Sequence, residues 1–403
     1  MRWIVPIALL LFIEIYALQA FRELFPKKAI TIVYIVTSCL VYGLTIGSFF
    51  MDVKGGTFAQ PRGFLMGLTL SLVVAKLIII PFVFFEDIIR VFQFFIQKLF
   101  STEQQHFPSR RKFVSTIALG LAAIPFGGIL YGMFKGKYNF KVLNYKLAFD
   151  DLPDAFEGLK VLQISDIHSG SFDSIKKVEY GIDLINAQEA DVIFFTGDLV
   201  NNLAAEMDDW VESFSKIKAK HGVFSVLGNH DYGDYHNWES QAAKQNNFDN
   251  LIRIHGKLGW KLLRNANDVI EINHQKLHIV GVENWGKGGF KQAGDIDKAS
   301  EGIEKSDFKI LLSHDPSHWD EIVKTHPKHF QLTLSGHTHG MQFGIEIPGW
   351  FKWSPVQYRY RQWAGIYNNE GRFLNVNRGF GYLAYPGRIG IWPEISVIEL
   401  HSV

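Results

Sequence analysis

The sequence predicts an α/β domain preceded by an all-α membrane region. Three observations carry that reading. Four apolar stretches fill the first third of the 403 residues, and from Lys160 onward short β-branched runs alternate with helical patterns. Charge and histidine also divide at Phe134: residues 1–134 hold 12 Lys/Arg against 6 Asp/Glu, residues 135–403 hold 29 against 34, and 14 of the 15 histidines lie in the second part. One part is apolar and basic, the other slightly acidic and rich in the side chain best suited to binding metals and moving protons. The expected organisation is a membrane region over 1–134, a linker over 135–155 and the α/β domain over 156–403.

Composition closes off several classes. A chain 47% hydrophobic and 14% aromatic is not disordered, and no charge run is long enough for a nucleic-acid tail, so no nucleic-acid partner is expected. Cys39 is the only cysteine. That excludes a disulfide scaffold and any thiolate metal site, so a metal in the second part must be held by oxygen and imidazole.

The apolar stretches run over 4–20, 29–51, 63–85 and 113–134, each near the ~20 residues that cross the hydrocarbon of a bilayer. They predict four transmembrane helices. Residues 86–100 mix charge with Ile, Val and Phe and read as a helix lying at the interface. Glu14 and Lys76 fall inside spans, where a bare charge costs roughly 2.5–3.5 kcal/mol on insertion scales. They read as an ion or proton path, or as a mutual ion pair, a neutral glutamic acid or a snorkelling lysine. The first and third connections carry eight Lys/Arg, against Arg2, Lys54 and Arg62 for the amino terminus and second connection. Ser109-Arg110-Arg111-Lys112-Phe113-Val114 resembles a twin-arginine export signal and equally fits plain positive-inside anchoring. Both readings keep those arginines in the cytoplasm, which puts the α/β domain outside the plasma membrane.

In the second part, 161–164, 192–196, 223–227, 277–282, 310–312 and 332–334 read as buried strands. Ile175, Val178, Ile182 and Ile185 mark an amphipathic helix, as do Trp210, Phe214 and Ile217. In such a domain the ligand site belongs past the carboxyl ends of the strands. Asp166-Ile167-His168 follows the first strand, Gly197-Asp198 the second and Gly228-Asn229-His230-Asp231 the third. Ser313-His314-Asp315 and Gly336-His337-Thr338-His339-Gly340 follow the last two. Each cluster alone is weak, since Asn, Asp and Gly also make turns. Five in order, each at a strand end, point to a metal-dependent site.

This set resembles the calcineurin-like metallophosphoesterase superfamily, with motifs Asp-x-His, Gly-Asp, Gly-Asn-His-Glu/Asp, a lone His and Gly-His-x-His, over about residues 160–400. Residues 310–316, 332–342 and the ending from Asn377-Arg378-Gly379 to Pro393-Glu394-Ile395 are similar to its bacterial membrane-associated YaeI/YkuE-like phosphodiesterase branch. The resemblance implies a four-layer α/β/β/α sandwich. It implies one metal ion on Asp166, His168, Asp198 and His339, and a second on Asp198, Asn229, His314 and His337, with Asp198 bridging. Two ions ~3.5–4 Å apart do need a shared anion. Imidazole with oxygen suits Mn, Fe or Zn, divalent or mixed-valence, better than Ca or Mg. One departure is Asn201, where many members carry an acid.

The implied reaction is phosphoester hydrolysis by a metal-bound hydroxide, with a diester more fitting than a monoester. His230, beside a ligand, is the candidate acid for the leaving group, and Asp231 the candidate to orient its ring. Arg378 and Arg388 are candidates to grip a second phosphate. Trp285, Trp350, Phe351 and Trp353 either face lipid headgroups or close a core. The four spans favour a substrate at the bilayer, such as a phospholipid or lipid-linked sugar phosphate. The alternative is a membrane receptor or binding protein whose phosphoesterase-like domain does not turn over.

Overall fold

The computed structural model describes residues 4–50, 59–100, 108–347 and 349–403. Arg2, Met51 and Lys54, used in the span and charge readings, lie outside them. The chain divides into two compact units, with the boundary after Phe134.

The first unit is helical: α1 (Ile4–Leu24), α2 (Lys28–Phe49), α3 (Ala59–Phe100) and α4 (Pro108–Phe134). Among the described residues three helical segments, Lys28–Phe49, Pro61–Phe100 and Arg110–Phe134, are long and apolar enough to cross a membrane. The first predicted stretch is also a helix, α1. No separate interfacial helix exists over 86–100, because α3 continues unbroken for 42 residues, about 63 Å. Nothing between Glu86 and Phe100 breaks a helix, and Glu86 pairs with Arg90 one turn on at 2.7 Å. Glu86 and Asp87 also receive the twin arginines: Arg110 lies 3.3 Å from Glu86, and Arg111 lies 2.9 Å from Asp87. Deeper in the unit Lys76 Nζ sits 2.6 Å from Glu14 Oε1. The hydroxyls of Tyr34 and Tyr42 donate to the same carboxylate, and Lys76 also donates to Ser38. Of the readings open for Glu14 and Lys76, the structure shows the mutual ion pair.

The second unit begins with β1 (Lys141–Phe149) and β2 (Lys160–Ile164), then α5 (Ile175–Asn186), β3 (Val192–Phe195), α6 (Val211–Phe214), β4 (Val223–Ser225), α7 (Gln241–Lys257) and β5 (Trp260–Leu262). It continues through β6 (Ala266–Ile272), β7 (Gln275–Gly281), α8 (Ile296–Ala299), β8 (Phe308–Leu312), α9 (Ser317–Glu321) and β9 (Leu332–Ser335). It closes with β10 (Ile345–Ile347), β11 (Phe351–Trp353), β12 (Gly365–Asn369), β13 (Arg372–Val376) and β14 (Glu394–Ser402).

Two six-stranded sheets result, in the orders β1-β14-β2-β3-β4-β5 and β12-β13-β9-β8-β7-β6. The stretch expected as a linker therefore carries a sheet strand: β1 pairs in parallel with β14 along nine residues. Tyr145, Leu147 and Phe149 alternate on one face but are interspersed with Lys141, Asn144 and Lys146, so β1 lacks the all-apolar look of a central strand. The helix expected through Trp210, Phe214 and Ile217 shrinks to α6, one turn, between loops.

A buried apolar cluster draws on both sheets, with Val161, Phe194 and Phe224 from one and Ile279, Ile310 and Leu334 from the other. A second cluster lies between the first sheet and α5, through Val178, Ile182 and Ile185, and a third backs the other sheet with Trp319. Strands β2, β3 and β4 run parallel, as do β8 and β9, so their carboxyl ends gather five loops at one edge.

Candidate metal centre

Each of the five loops leaves its strand by the shortest route. Asp166 and His168 lie two and four residues past β2, Asp198 three past β3, Asn229 four past β4, His314 two past β8, and His337 and His339 two and four past β9. The loops bind one another through the backbone: Asp166 N–H donates to Gly197 O, His168 N–H to Asp198 O, and Gly336 N–H to His314 O. Two motif glycines permit this crowding. A Cβ on Gly336 would meet Ser165 Oγ at 1.9 Å, and one on Gly228 would meet Asp198 Oδ1 at 2.2 Å. Five of the seven residues named from the motifs, Asp166, His168, Asp198, His337 and His339, have positive φ, between 47° and 70°. Non-glycine residues pay for that conformation, and it concentrates at functional sites.

Two groups of donors converge. Asp166, His168 and His339 form one, and Asp198, His314 and His337 the other, each with ligand atoms close enough to hold one ion. In the first, His168 Nε2 faces His339 Nε2 at 3.0 Å, and His339 Nε2 lies 3.2 Å from Asp166 Oδ1. In the second, His314 Nε2 is 3.1 Å from Asp198 Oδ2 and 3.3 Å from His337 Nδ1. The same Asp198 oxygen lies 3.5 Å from His168 Nε2, so one carboxylate oxygen looks into both groups.

The donor set fits divalent cations. Burial favours raised carboxyl pKa values at Asp166 and Asp198, but the imidazoles of His339 and His314 hold both below the ordinary range. Burial pushes His168 far down and His337 down, leaving neutral imidazoles. At His314 burial is outweighed by the Asp198 carboxylate, which raises it to about 10. Asn229 donates from Nδ2 to the Tyr235 hydroxyl at 2.9 Å, while its Oδ1 is buried without a protein partner. A buried amide oxygen left open suits a hard or borderline cation.

The imidazole predicted as acid is present, but its predicted orienter is not. His230 Nδ1 donates to the backbone oxygen of Asn201 at 2.8 Å, and its ring stands 5.0 Å from that of His168. Asp231 is buried elsewhere, accepting from the N–H groups of Asp198, Leu199 and Gly228 at 2.8–2.9 Å. Burial and Asp198 together push it up to about 7. It shapes the Asp198 loop instead, because a carboxylate one residue past His230 meets three converging N–H groups. Asn201 supplies its main chain to His230, so side-chain identity gave no hint of it.

The two arginines offered for substrate are not free. Arg378 is bonded to Glu394 and, at 2.6 Å, to Glu346. Arg388 is fully buried, donates to Gly381 O and Gly379 O, and has Nη2 3.2 Å from His339 Nδ1. Burial pushes its guanidinium down to about 9. It steadies a histidine of the centre. Gln163, alone polar in the strand Val161–Ile164, proves informative: it bonds Thr196, the Ser335 carbonyl and Asn375, tying the two sheets together beneath the loops. Tyr360, missed altogether, places its hydroxyl 2.9 Å from His337 Nε2.

Comparison with known proteins agrees with both units. Residues 1–137 match the model for "Probable Calcineurin-like phosphoesterase, transmembrane domain", and residues 159–341 the model for "Calcineurin-like phosphoesterase". The metallophosphoesterase YkuE of Bacillus subtilis is 28% identical over 300 residues, 73% of this chain and 98% of that protein. A Helicobacter pylori metallophosphoesterase is 28% identical over 306 residues, 75% of each chain. A zebrafish transmembrane protein with a metallophosphoesterase domain is 26% identical over 281 residues, 67% of this chain and 60% of its own length.

Proposed function

We propose, for a chain that belongs to the calcineurin-like phosphoesterase family and carries an apolar helical region ahead of that domain, a membrane-anchored dinuclear phosphoesterase acting on a phospholipid or lipid-linked phosphodiester. The observation that carries it is Asp198, one oxygen of which looks into both donor groups. One ion would rest on Asp166, His168, Asp198 and His339, the other on Asp198, Asn229, His314 and His337. Such ions supply Lewis acidity toward the phosphoryl oxygens and water acidified to act near neutral pH. The residues do the rest. Arg388 fixes the ring of His339, and Tyr360 that of His337. His230, with Nδ1–H held by Asn201, turns its other nitrogen to the leaving oxygen and, when protonated, delivers a proton there. The two-sheet core with a helix-backed cluster on each side fits a four-layer sandwich.

Support for a lipid substrate comes from the hairpin that follows His339. Among the described residues strands β10 and β11 pair only with each other, and Trp350 is 81% exposed, Met341 58% and Ile345 56%, with Phe343, Ile347 and Phe351 also exposed. The exposed aromatics are those expected at a headgroup region. Trp285, by contrast, stacks on His318, and Trp353 is half-buried. We further take α1 as a fourth span and the domain as extracytoplasmic in the plasma membrane, from the excess of Lys/Arg on the first and third connections.

The test is turnover of bis(4-nitrophenyl) phosphate by the full chain in detergent, loaded with Mn, Fe or Zn. Hydrolysis abolished by a chelator and restored by metal is expected. Metal binding without hydrolysis of any phosphoester would instead favour the receptor reading. Protease added to intact cells, or to spheroplasts where an outer membrane exists, should cut within residues 150–403. Protection until the inner membrane is lysed reverses the topology.

A further inference from the structure

A cleft of about 570 Å³ opens beside the centre, lined by Lys287, Asp320, Glu321, Arg359, Tyr360 and Arg361 among others. Its charges do not cancel. Glu321 is paired with Lys287 at 2.5 Å and Asp320 with Lys324, which neutralises both carboxylates. Among the described residues no carboxylate pairs with Arg359 or Arg361, so two guanidinium charges remain to be matched.

Their position relates the cleft to the centre. The Arg359 guanidinium lies over the Phe290 and Tyr360 rings, 5.3 and 5.6 Å from their centroids. Phe290 stands edge-on 4.8 Å from the His337 ring, and the Tyr360 hydroxyl touches His337 Nε2. Arg359 is therefore held one aromatic ring away from His337, its guanidinium set against two aromatic rings. A guanidinium carries paired N–H donors whose spacing matches phosphate oxygens.

We propose that this cleft is a subsite for a second phosphate of the substrate, several bonds from the scissile phosphorus and gripped by Arg359 and Arg361. The proposal rests on the phosphoesterase reading, and it names the feature that a substrate must carry beyond one phosphoester. It also explains why the buried Arg378 and Arg388 do not serve: their charges are committed inside the fold, whereas these two face open space.

The experiment is calorimetry on the metal-loaded full chain with two ligands that resist hydrolysis, hexane-1,6-diyl bisphosphonate and hexylphosphonate. The bisphosphonate should bind about tenfold or more tightly, a margin one charge-assisted phosphate contact supplies. Arg359→Gln with Arg361→Gln should bring the two to parity, and the paired Lys variants should restore part of the preference. Equal binding by the wild type, or a preference kept by the Gln variant with its metals in place, overturns the proposal. If the double variant loses metal, Arg361→Gln alone decides by the same ratio. Inorganic phosphate bound in the cleft and lost in the double variant, with the bisphosphonate no tighter than hexylphosphonate, would assign the cleft to free phosphate and overturn the assignment to substrate. Because no turnover is needed, failure of the enzyme reading leaves this ratio measurable.

Discussion

Both units bury charge, and they do so in opposite ways. In the helical unit Glu14 and Lys76 form a balanced pair, with Tyr34, Tyr42 and Ser38 occupying their remaining bonding positions. In the α/β unit Asp166 and Asp198 are buried among four imidazoles and one amide, and both Asn229 Oδ1 and His168 Nδ1 lack a protein partner. Burying an ion is tolerable only when its field and its hydrogen-bonding capacity are answered. The first cluster answers itself and holds helices together. The second converges donor atoms on two points and leaves some of them open, an arrangement that a cation would complete. Completeness of bonding, more than burial or charge, separates a fastening from a binding centre.

The largest expected effect breaks the second cluster at its shared member. Asp198→Asn should lose more metal than a change at any residue confined to one group, as elemental analysis of the purified chain would reveal. Two ions retained in that variant would end the bridging assignment. Next, His230→Ala should keep both metals yet slow an alkyl phosphoester by roughly 10²- to 10⁴-fold, with a nitrophenyl ester affected much less. Equal losses on both leaving groups would move His230 from proton donor to stabiliser of the phosphoryl oxygens.

On the other side of the comparison, Lys76→Met leaves Glu14 buried without its partner. It should cost roughly 3 kcal/mol in thermal unfolding of the detergent-solubilised chain. Adding Glu14→Met should recover most of that, since replacing both halves of a buried pair by apolar groups is often neutral. A double variant as unstable as the single one would mean the pair does more than fasten. The smallest effect concerns the hairpin. Trp350→Asp should lower turnover of a vesicle-embedded phosphodiester about tenfold relative to a soluble one, in line with one large apolar side chain withdrawn from an interface. An unchanged ratio would detach the hairpin from the bilayer.

What the sequence made legible follows the same line. All seven residues expected as ligands meet at one edge, because each sits a few residues past a strand and strand ends are set by short, local apolar runs. His230 was legible for the same reason. Its partner was not, since Asn201 acts through a main-chain oxygen that any residue could offer. Arg378 and Arg388 misled because a lone arginine near the end of a chain says nothing of the acids folded against it: Glu346 and Glu394 are 32 and 16 residues away. Strand β1 was hidden by an exposed edge that tolerates charge, and the reach of α3 by charges that looked like an interface. Gln163 was the one readable clue to the network joining the sheets, a polar residue placed where periodicity asked for an apolar one.

The left-handed backbone at Asp166, His168, Asp198, His337 and His339 has a consequence for how the centre is filled. Those loops are joined by hydrogen bonds formed without any ion, from backbone to backbone as in Asp166 to Gly197 and Gly336 to His314, and from the His337 N–H to the Asp166 carboxylate at 3.0 Å. Their energetic burden falls on folding and is already met when a cation arrives. Loading then resembles docking into a finished socket rather than the metal-driven folding of a small zinc module. The expected outcome is that a chelator leaves the thermal unfolding of the second unit within a few degrees of its metal-loaded value; collapse of the fold on chelation would put the centre with the metal-folded modules.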